Sequence, residues 1–306
     1  MPNVLFVCIR KFSVGHRPSS IRATSRRTSR GSNVALHGAR VSGIRFAVVG
    51  SIGNFAVERV RGLGDYALFV GLSAASVFAT KRLGSRIGRA LYEQGFRCLP
   101  VILIVGLFTG LVLGLQGYHV LNRFGSEGLL GALVALSLVR EMAPVLAAIM
   151  LVGQAGSALA AELGIQRNSE QIAALETMGV SSHGYLVTPR LLASLVSYPM
   201  QTALFVIVGL WGGSLSGSLL LGADPGIYWS SVERAIKEQD VRECFIKAVT
   251  FGLLTISICS YQGFHAHRVR GSTGARAVSA ATTKAVVLSC IAVLAADYVI
   301  TSFLVR

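Results

Sequence analysis

The residues best placed to do chemistry are two adjacent charges, Arg140 and Glu141, inside the otherwise apolar run Leu129–Val152. An ionisable side chain at mid-membrane depth is costly unless it faces a partner or a wet cavity. Pro144, one turn later, lacks an N–H and frees a backbone carbonyl at nearly the same depth. Two readings fit equally: a polar lining for a translocation path, or a buried ion pair that locks helices together. Lys247 stands near one end of another apolar run, Phe245–Phe264, and Asp297 lies within Ala285–Val305.

Signatures of soluble catalysis are missing from the sequence, and no residue is assigned a catalytic role. There is no G-x-x-x-x-G-K-[ST] loop to cradle a nucleoside triphosphate, so no cofactor is expected on this chain. The five cysteines (Cys8, Cys98, Cys244, Cys259 and Cys290) are far apart and form no C-x-x-C. They read as apolar core residues rather than metal ligands or disulfides. His265 and His267 read as the solvated end of a basic loop, so no metal site is expected.

Composition says what kind of element holds these residues. Of 306 residues, 52% are hydrophobic and 14% charged, against about 25% charged in soluble domains. That argues against a soluble enzyme, a disordered chain or a disulfide scaffold. A net charge of +15 would suit a nucleic-acid binder in a soluble protein; on this composition no nucleic acid is expected as a partner. Residues 1–45 hold nine of the 29 Lys and Arg residues, seven serines and no acid, too polar a stretch to fold alone. They read as a disordered basic tail, which suits the cytoplasmic side, or as an organellar transit peptide.

A helix needs about 20 mostly apolar residues to cross a membrane. Five runs qualify: 98–115, 129–152, 191–222, 245–264 and 285–305. The third is long enough to hide a re-entrant turn at Gly212-Gly213. A shorter run, Tyr66–Thr80, is flanked by basic residues and reads as a helix lying in the interface, within an elbow region 46–97. The expected fold is an all-α integral membrane protein. It has an N-terminal interfacial helix, about five transmembrane helices within 98–306, and a cytoplasmic helix between the second and third spans. If the N-terminus is cytoplasmic, the basic loop 264–284 lies inside, as the positive-inside rule asks, and the acid-rich segment 223–244 lies outside.

Gly153, Gly156, Ala160 and Gly164 place small residues at helical spacing, a face that lets helices approach closely. Beyond them, Asn168 and Gln171 have capping-box spacing ahead of Ile172, Leu175 and Met178, which share one face of a short helix at about 168–179. With Glu170 and Glu176 around it, that helix suits a groove on another protein better than an anionic membrane surface.

These stretches are collinear with a known pattern. Ala135–Gly164 (ALSLVREMAPVLAAIMLVGQAGSALAAELG), Gly110–Tyr118 (GLVLGLQGY), Glu170–Val180 (EQIAALETMGV), Gly209–Gly217 (GLWGGSLSG) and Ala281–Thr301 (ATTKAVVLSCIAVLAADYVIT) carry the resemblance. Over about residues 50–305 the chain resembles the MlaE family of ABC-transporter permeases. Its members move phospholipids between the membranes of Gram-negative bacteria, and chloroplast relatives act in lipid import. The resemblance implies a homodimer in a bacterial inner membrane, or in an organellar inner envelope, with a lipid cavity at the dimer interface near Arg140, Glu141 and Lys247. It also implies a separate cytoplasmic ABC ATPase that binds the ATP. That subunit would dock on the coupling helix through Glu170, Ile172, Leu175, Met178 and Gly179. A periplasmic lipid-binding MCE protein and a STAS-domain protein complete the implied partners. A phospholipid phosphate would favour a cation such as Arg140 or Lys247, although Lys247 could equally be a snorkelling anchor. Residues 1–45 have no counterpart in the pattern.

Two rivals belong to other classes. An ion-coupled secondary transporter of a hydrophobic substrate would use Glu141 and Asp297 as a relay. An intramembrane lipid enzyme would need a nucleophile or acid–base pair, and no His or Cys lies near Glu141 in the sequence.

Overall fold

The computed structural model describes residues 60–76, 83–220, 222, 224–268 and 274–304. The basic segment 1–45 and parts of the elbow region, at 46–59 and 77–82, lie outside the described residues. Every regular element described is a helix. In chain order they are α1 (60–75), α2 (Leu83–Gln94), α3 (Leu99–Arg123), α4 (Glu127–Asn168), α5 (Gln171–Thr177), α6 (His183–Ser218), α7 (Pro225–Ala235), α8 (Glu238–Phe264) and α9 (Ala275–Leu304). Five are long and apolar enough to cross a membrane: α3 (continuous with most of α2), α4, α6, α8 and α9.

Each crossing helix outruns the apolar stretch that announces it. Hydropathy marks the part facing hydrocarbon, whereas the backbone ladder continues into polar residues beyond it. Thus α3 runs on to Arg123, α4 continues without a break from the 129–152 run to Asn168, and α9 starts at Ala275 rather than 285. The segment 223–244, expected as a loop, instead holds α7 and the first two turns of α8. Asp224 caps α7 by accepting the Gly226 N–H at 2.8 Å, with Pro225 at the first helical position.

The Gly212-Gly213 pair makes no re-entrant turn. Both lie within the continuous helix Thr188–Leu215, where their missing side chains make room for neighbours. A Cβ on Gly212 would meet the Leu107 carbonyl oxygen at 2.5 Å, and one on Gly213 the Tyr228 hydroxyl at 2.6 Å. That hydroxyl donates to the Leu210 carbonyl at 3.1 Å. Burial pushes the phenol's pKa above its ordinary value.

Of the four small residues singled out in α4, three are packed. A Cβ on Gly156 would sit 2.9 Å from Cys259 Sγ, Gly263 of α8 faces the Ala160 carbonyl, and Gly164 meets Val278 of α9. Gly153 does not belong to this face, because no atom of the described residues lies within 4 Å of a Cβ there. Gly153→Ala is therefore expected to leave the unfolding midpoint unchanged or slightly raised. Gly156→Ala should lower stability by about 1–3 kcal/mol through overpacking; equal midpoints in detergent would refute the assignment. A closer crossing joins α3 to α6, where Gly106, Gly110 and Gly114 face Phe205, Gly209 and Gly213.

The short helix α1 is fastened to the bundle by polar contacts. Tyr66 and Ser257 share a 2.5 Å hydroxyl contact, and Thr188 Oγ1 donates to the Ser73 carbonyl at 2.9 Å.

Candidate functional site

The polar cluster is built on a local fault in α4. Residues Leu138–Met142 form a π-helical turn in which the Ala143 N–H reaches back five residues to the Leu138 carbonyl. Pro144 follows and has no N–H to offer, so the carbonyl four residues before it, that of Arg140, has no helical partner from that position. Lys247 Nζ of α8 fills the gap, donating to the Arg140 carbonyl at 2.8 Å. The same ammonium lies 3.2 Å from Glu141 Oε1 and 2.9 Å from Asp297 Oδ1 of α9. Two of its N–H groups make hydrogen bonds, to the Arg140 carbonyl and Glu141 Oε1, while Asp297 holds it as a close ion pair without hydrogen-bond geometry. Lys247 is only 3% exposed.

Arg140 turns the other way. Its Nε and Nη2 both lie 2.8 Å from Asp240 Oδ1, while Asp240 Oδ2 accepts the Lys237 N–H at 3.1 Å and closes the N-terminal cap of α8. Asp240 and Lys247 are seven residues apart and share one face of α8, so both reach the π-turn of α4. Thr301, one turn beyond Asp297 on α9, donates to Glu141 Oε1 at 3.4 Å. The cluster joins three helices, with two cations against three carboxylates.

Accessibility divides the cluster. The Asp240 and Lys247 side chains are each 3% exposed and Asp297 18%, whereas Arg140 is 52% and Glu141 46% exposed. Of the two cations expected to meet a phosphate, Lys247 is buried among Glu141, Asp297 and the Arg140 carbonyl, and it does not snorkel; Arg140 is the one that presents donors outward. Sequence reasoning missed Asp240, which was counted among the acids of an outer loop. The i,i+7 spacing of Asp240 and Lys247 was the signal that could have found it.

The other expected site is α5 and its surroundings. The predicted capping box is absent: Asn168 ends α4, and Glu170, with φ +59°, occupies the N-cap position without a side-chain cap. Ile172 is 0% exposed and packs among Phe69, Val187 and Phe264. It is the bolt that holds α5 to the body of the chain, not part of an outward face. Leu175 is half-buried and Met178 is 67% exposed, with Val180 also exposed beyond it. Gly179, at φ +75°, ends the helix in the left-handed conformation suited to glycine. His265 belongs to the same aromatic node, half-buried against Tyr261 and Phe264 rather than solvated. Cys98, Cys244 and Cys259 are buried thiols.

The family described as Permease MlaE matches residues 87–303. The intermembrane phospholipid transport system permease protein MlaE of Haemophilus influenzae is 40% identical over 71% of this chain and 81% of its own length. A probable ABC transporter permease protein of Rickettsia conorii is 35% identical over 84% of this chain and 97% of its own length. The chloroplastic protein TRIGALACTOSYLDIACYLGLYCEROL 1 of Arabidopsis thaliana is 33% identical over 70% of this chain, which spans 59% of that protein. The matched region runs from α2 into α9 and contains the whole charged cluster and α5, so the chain belongs to the MlaE permease family.

Proposed function

We propose that this chain is the membrane permease subunit of an ABC-type transporter that moves phospholipid between membranes, driven by a separate cytoplasmic ATPase. One observation carries the reading furthest: Arg140 and Glu141 are half exposed on the flank of a helix that crosses the membrane. Charged groups left open to hydrocarbon are costly, so this flank needs a wet or polar neighbour. A second copy of the chain, closing a lipid cavity over the flank, supplies one. Within that cavity Arg140 meets the phosphate through charge-assisted hydrogen bonds, and Lys247 holds the π-turn that aims it. A lipid-binding MCE protein receives or delivers the lipid at the outer side, and a STAS-domain protein sits on the ATPase. The setting is the inner membrane of a bacterium. The likeness to a chloroplastic protein, together with the basic, acid-free residues 1–45, favours an organellar inner envelope as the second setting.

The deciding experiment is transfer of a fluorescent phospholipid between vesicles by the reconstituted chain with its ATPase. Transfer that requires both ATP and the ATPase supports the reading. Transfer that proceeds without the ATPase and follows a proton gradient would replace it with the ion-coupled alternative.

Coupling falls to α5, with Glu170, Leu175, Met178 and Gly179 on its accessible side. Met178→Asp is expected to cut co-purification of the ATPase at least tenfold while leaving the unfolding midpoint where it was, since Met178 is exposed. Ile172→Asp should instead lower the midpoint, because it buries a carboxylate in an apolar pocket. Retained ATPase binding by a folded Met178→Asp chain would remove α5 as the docking element.

A further inference from the structure

The end of the bundle that carries α5 holds two adjoining cavities of about 510 and 500 Å³, which share Arg89, Glu93, Glu162 and Arg190. Arg97 and Gln94 line the first, Arg86 and Tyr185 the second. Glu162 lies 21 residues beyond Glu141 on α4, about 30 Å along the helix axis at ~1.5 Å per residue. The cavities are thus well separated from the charged cluster, near the opposite end of the helix.

Their charge is unbalanced. Four guanidinium groups face two carboxylates, and both carboxylates are already paired. Arg190 Nη2 sits 2.6 Å from Glu162 Oε2, and Arg89 Nε 3.0 Å from Glu93 Oε1. Arg86 and Arg97 have no ion-pair partner among the described residues. The Arg86 guanidinium lies 3.7 Å from the centroid of the Tyr185 ring, which holds it in place while its N–H edge stays available. Among the described residues a further polar atom lacks a partner: Gln94 is 4% exposed, and although its Nε2 donates to the Arg190 carbonyl at 3.4 Å, its Oε1 accepts from none of them. Deeper in, the lining turns apolar at Cys98, Ala155 and Leu159. The result is a cationic rim, one unanswered buried acceptor, and an apolar floor.

We propose that this cavity binds a phosphate-ester anion, as a second site for a phospholipid headgroup. Arg97 in the first cavity and Arg86 in the second each offer charge and N–H donors to a phosphate, on either side of the Arg89 and Arg190 that the two cavities share. The apolar floor receives the start of the acyl chains. The size suits the part, since small-molecule sites run from about 300 to 1,000 Å³. Its role as a station for lipid of the leaflet beside α5 rests on the lipid-permease reading; the binding chemistry does not. Free phosphate offers the same anion to the arginines but leaves the floor unused.

The test is photo-crosslinking of the full chain, in maltoside micelles free of phosphate, to a phosphatidylglycerol bearing a photoactivatable acyl chain, with the labelled peptides mapped by mass spectrometry. Label is expected on 83–97 and 154–166, falling at least tenfold in the Arg86→Gln/Arg97→Gln chain while its unfolding midpoint holds. Arg97→Lys should keep more label than Arg97→Gln. Undiminished labelling of these peptides in the double variant overturns the proposal. So does loss of ATPase binding in that variant with labelling intact, which would give the arginines to a protein contact. An added arm with inorganic phosphate separates the sources. Suppression by phosphate at the lipid's own concentration supports the anion chemistry with free phosphate as ligand, whereas suppression only by unlabelled phosphatidylglycerol supports the headgroup. Because no ATPase enters the crosslinking arm, failure of the permease reading would leave this result standing, and the reverse also holds.

Discussion

Lys247→Met is expected to lower the stability of the purified chain by about 3–5 kcal/mol, the range for breaking a buried ion pair from one side. The ammonium is 3% exposed and meets Glu141, Asp297 and the Arg140 carbonyl. Removing it strands Asp297, which is only 18% exposed, and returns the Arg140 carbonyl to the unpartnered condition that Pro144 imposes. The double variant Lys247→Met/Asp297→Asn should recover more than half of the loss, because a neutral pair leaves no uncompensated charge. Glu141→Gln should cost far less, since its carboxylate is 46% exposed and exposed pairs are worth about 0–1 kcal/mol. The measurement is the thermal unfolding midpoint in one detergent for all four chains, with lipid transfer assayed on those that fold. A single variant as stable as the parent, or a double variant no better than the single, would mean that Lys247 is not the hub of the cluster.

The same cluster shows how far the sequence could be read. Five crossings were legible because long apolar runs have few other uses, and Arg140 and Glu141 stood out because a charge inside such a run demands an explanation. Asp240 was not legible by that route. It lies in an acid-rich stretch where one carboxylate looks like any other, and its i,i+7 spacing to Lys247 becomes a signal once α8 is seen to begin at Glu238. The helix ends were lost for the same reason, since polar residues continue a helix without marking it in hydropathy. Ile172 was misread because an amphipathic stripe looks the same whether it docks on a partner or on its own chain. What decides is the pocket made by Phe69, Val187 and Phe264, three residues spread over α1, α6 and α8. At Gly156, Ala160 and Gly164 the small-residue spacing coincides with close approach to α8 and α9. The same four-residue spacing at Gly106, Gly110 and Gly114 was passed over, though it marks the closer crossing.

That crossing yields the second large effect. Gly110→Ala should cost about 3 kcal/mol, the upper end of the usual overpacking range, or abolish the folded chain. A Cβ at Gly110 would fall 1.9 Å from the Gly209 carbonyl oxygen and 2.9 Å from Gly209 Cα. These are backbone atoms, and they yield only if α3 and α6 separate along the line that also holds Gly106 against Phe205 and Gly114 against Gly213. Gly209→Ala is the informative contrast. Its Cβ would meet Leu138 Cδ1 at 3.0 Å, the end of a side chain that can shift by a few tenths of an ångström, so stability should fall less. Leu138, however, is 0% exposed and opens the π-turn that carries Arg140 and Glu141. A push on it is transmitted to the charged flank, and lipid transfer should drop several-fold in a chain that is nearly as stable as the parent. Unfolding midpoints and transfer rates measured on both variants separate the two consequences. If Gly110→Ala unfolds no earlier than Gly209→Ala, the helices do not cross as closely as the structure has them. If Gly209→Ala transfers lipid at the parental rate, the π-turn is not sensitive to the packing behind it, and the α3–α6 crossing serves stability alone.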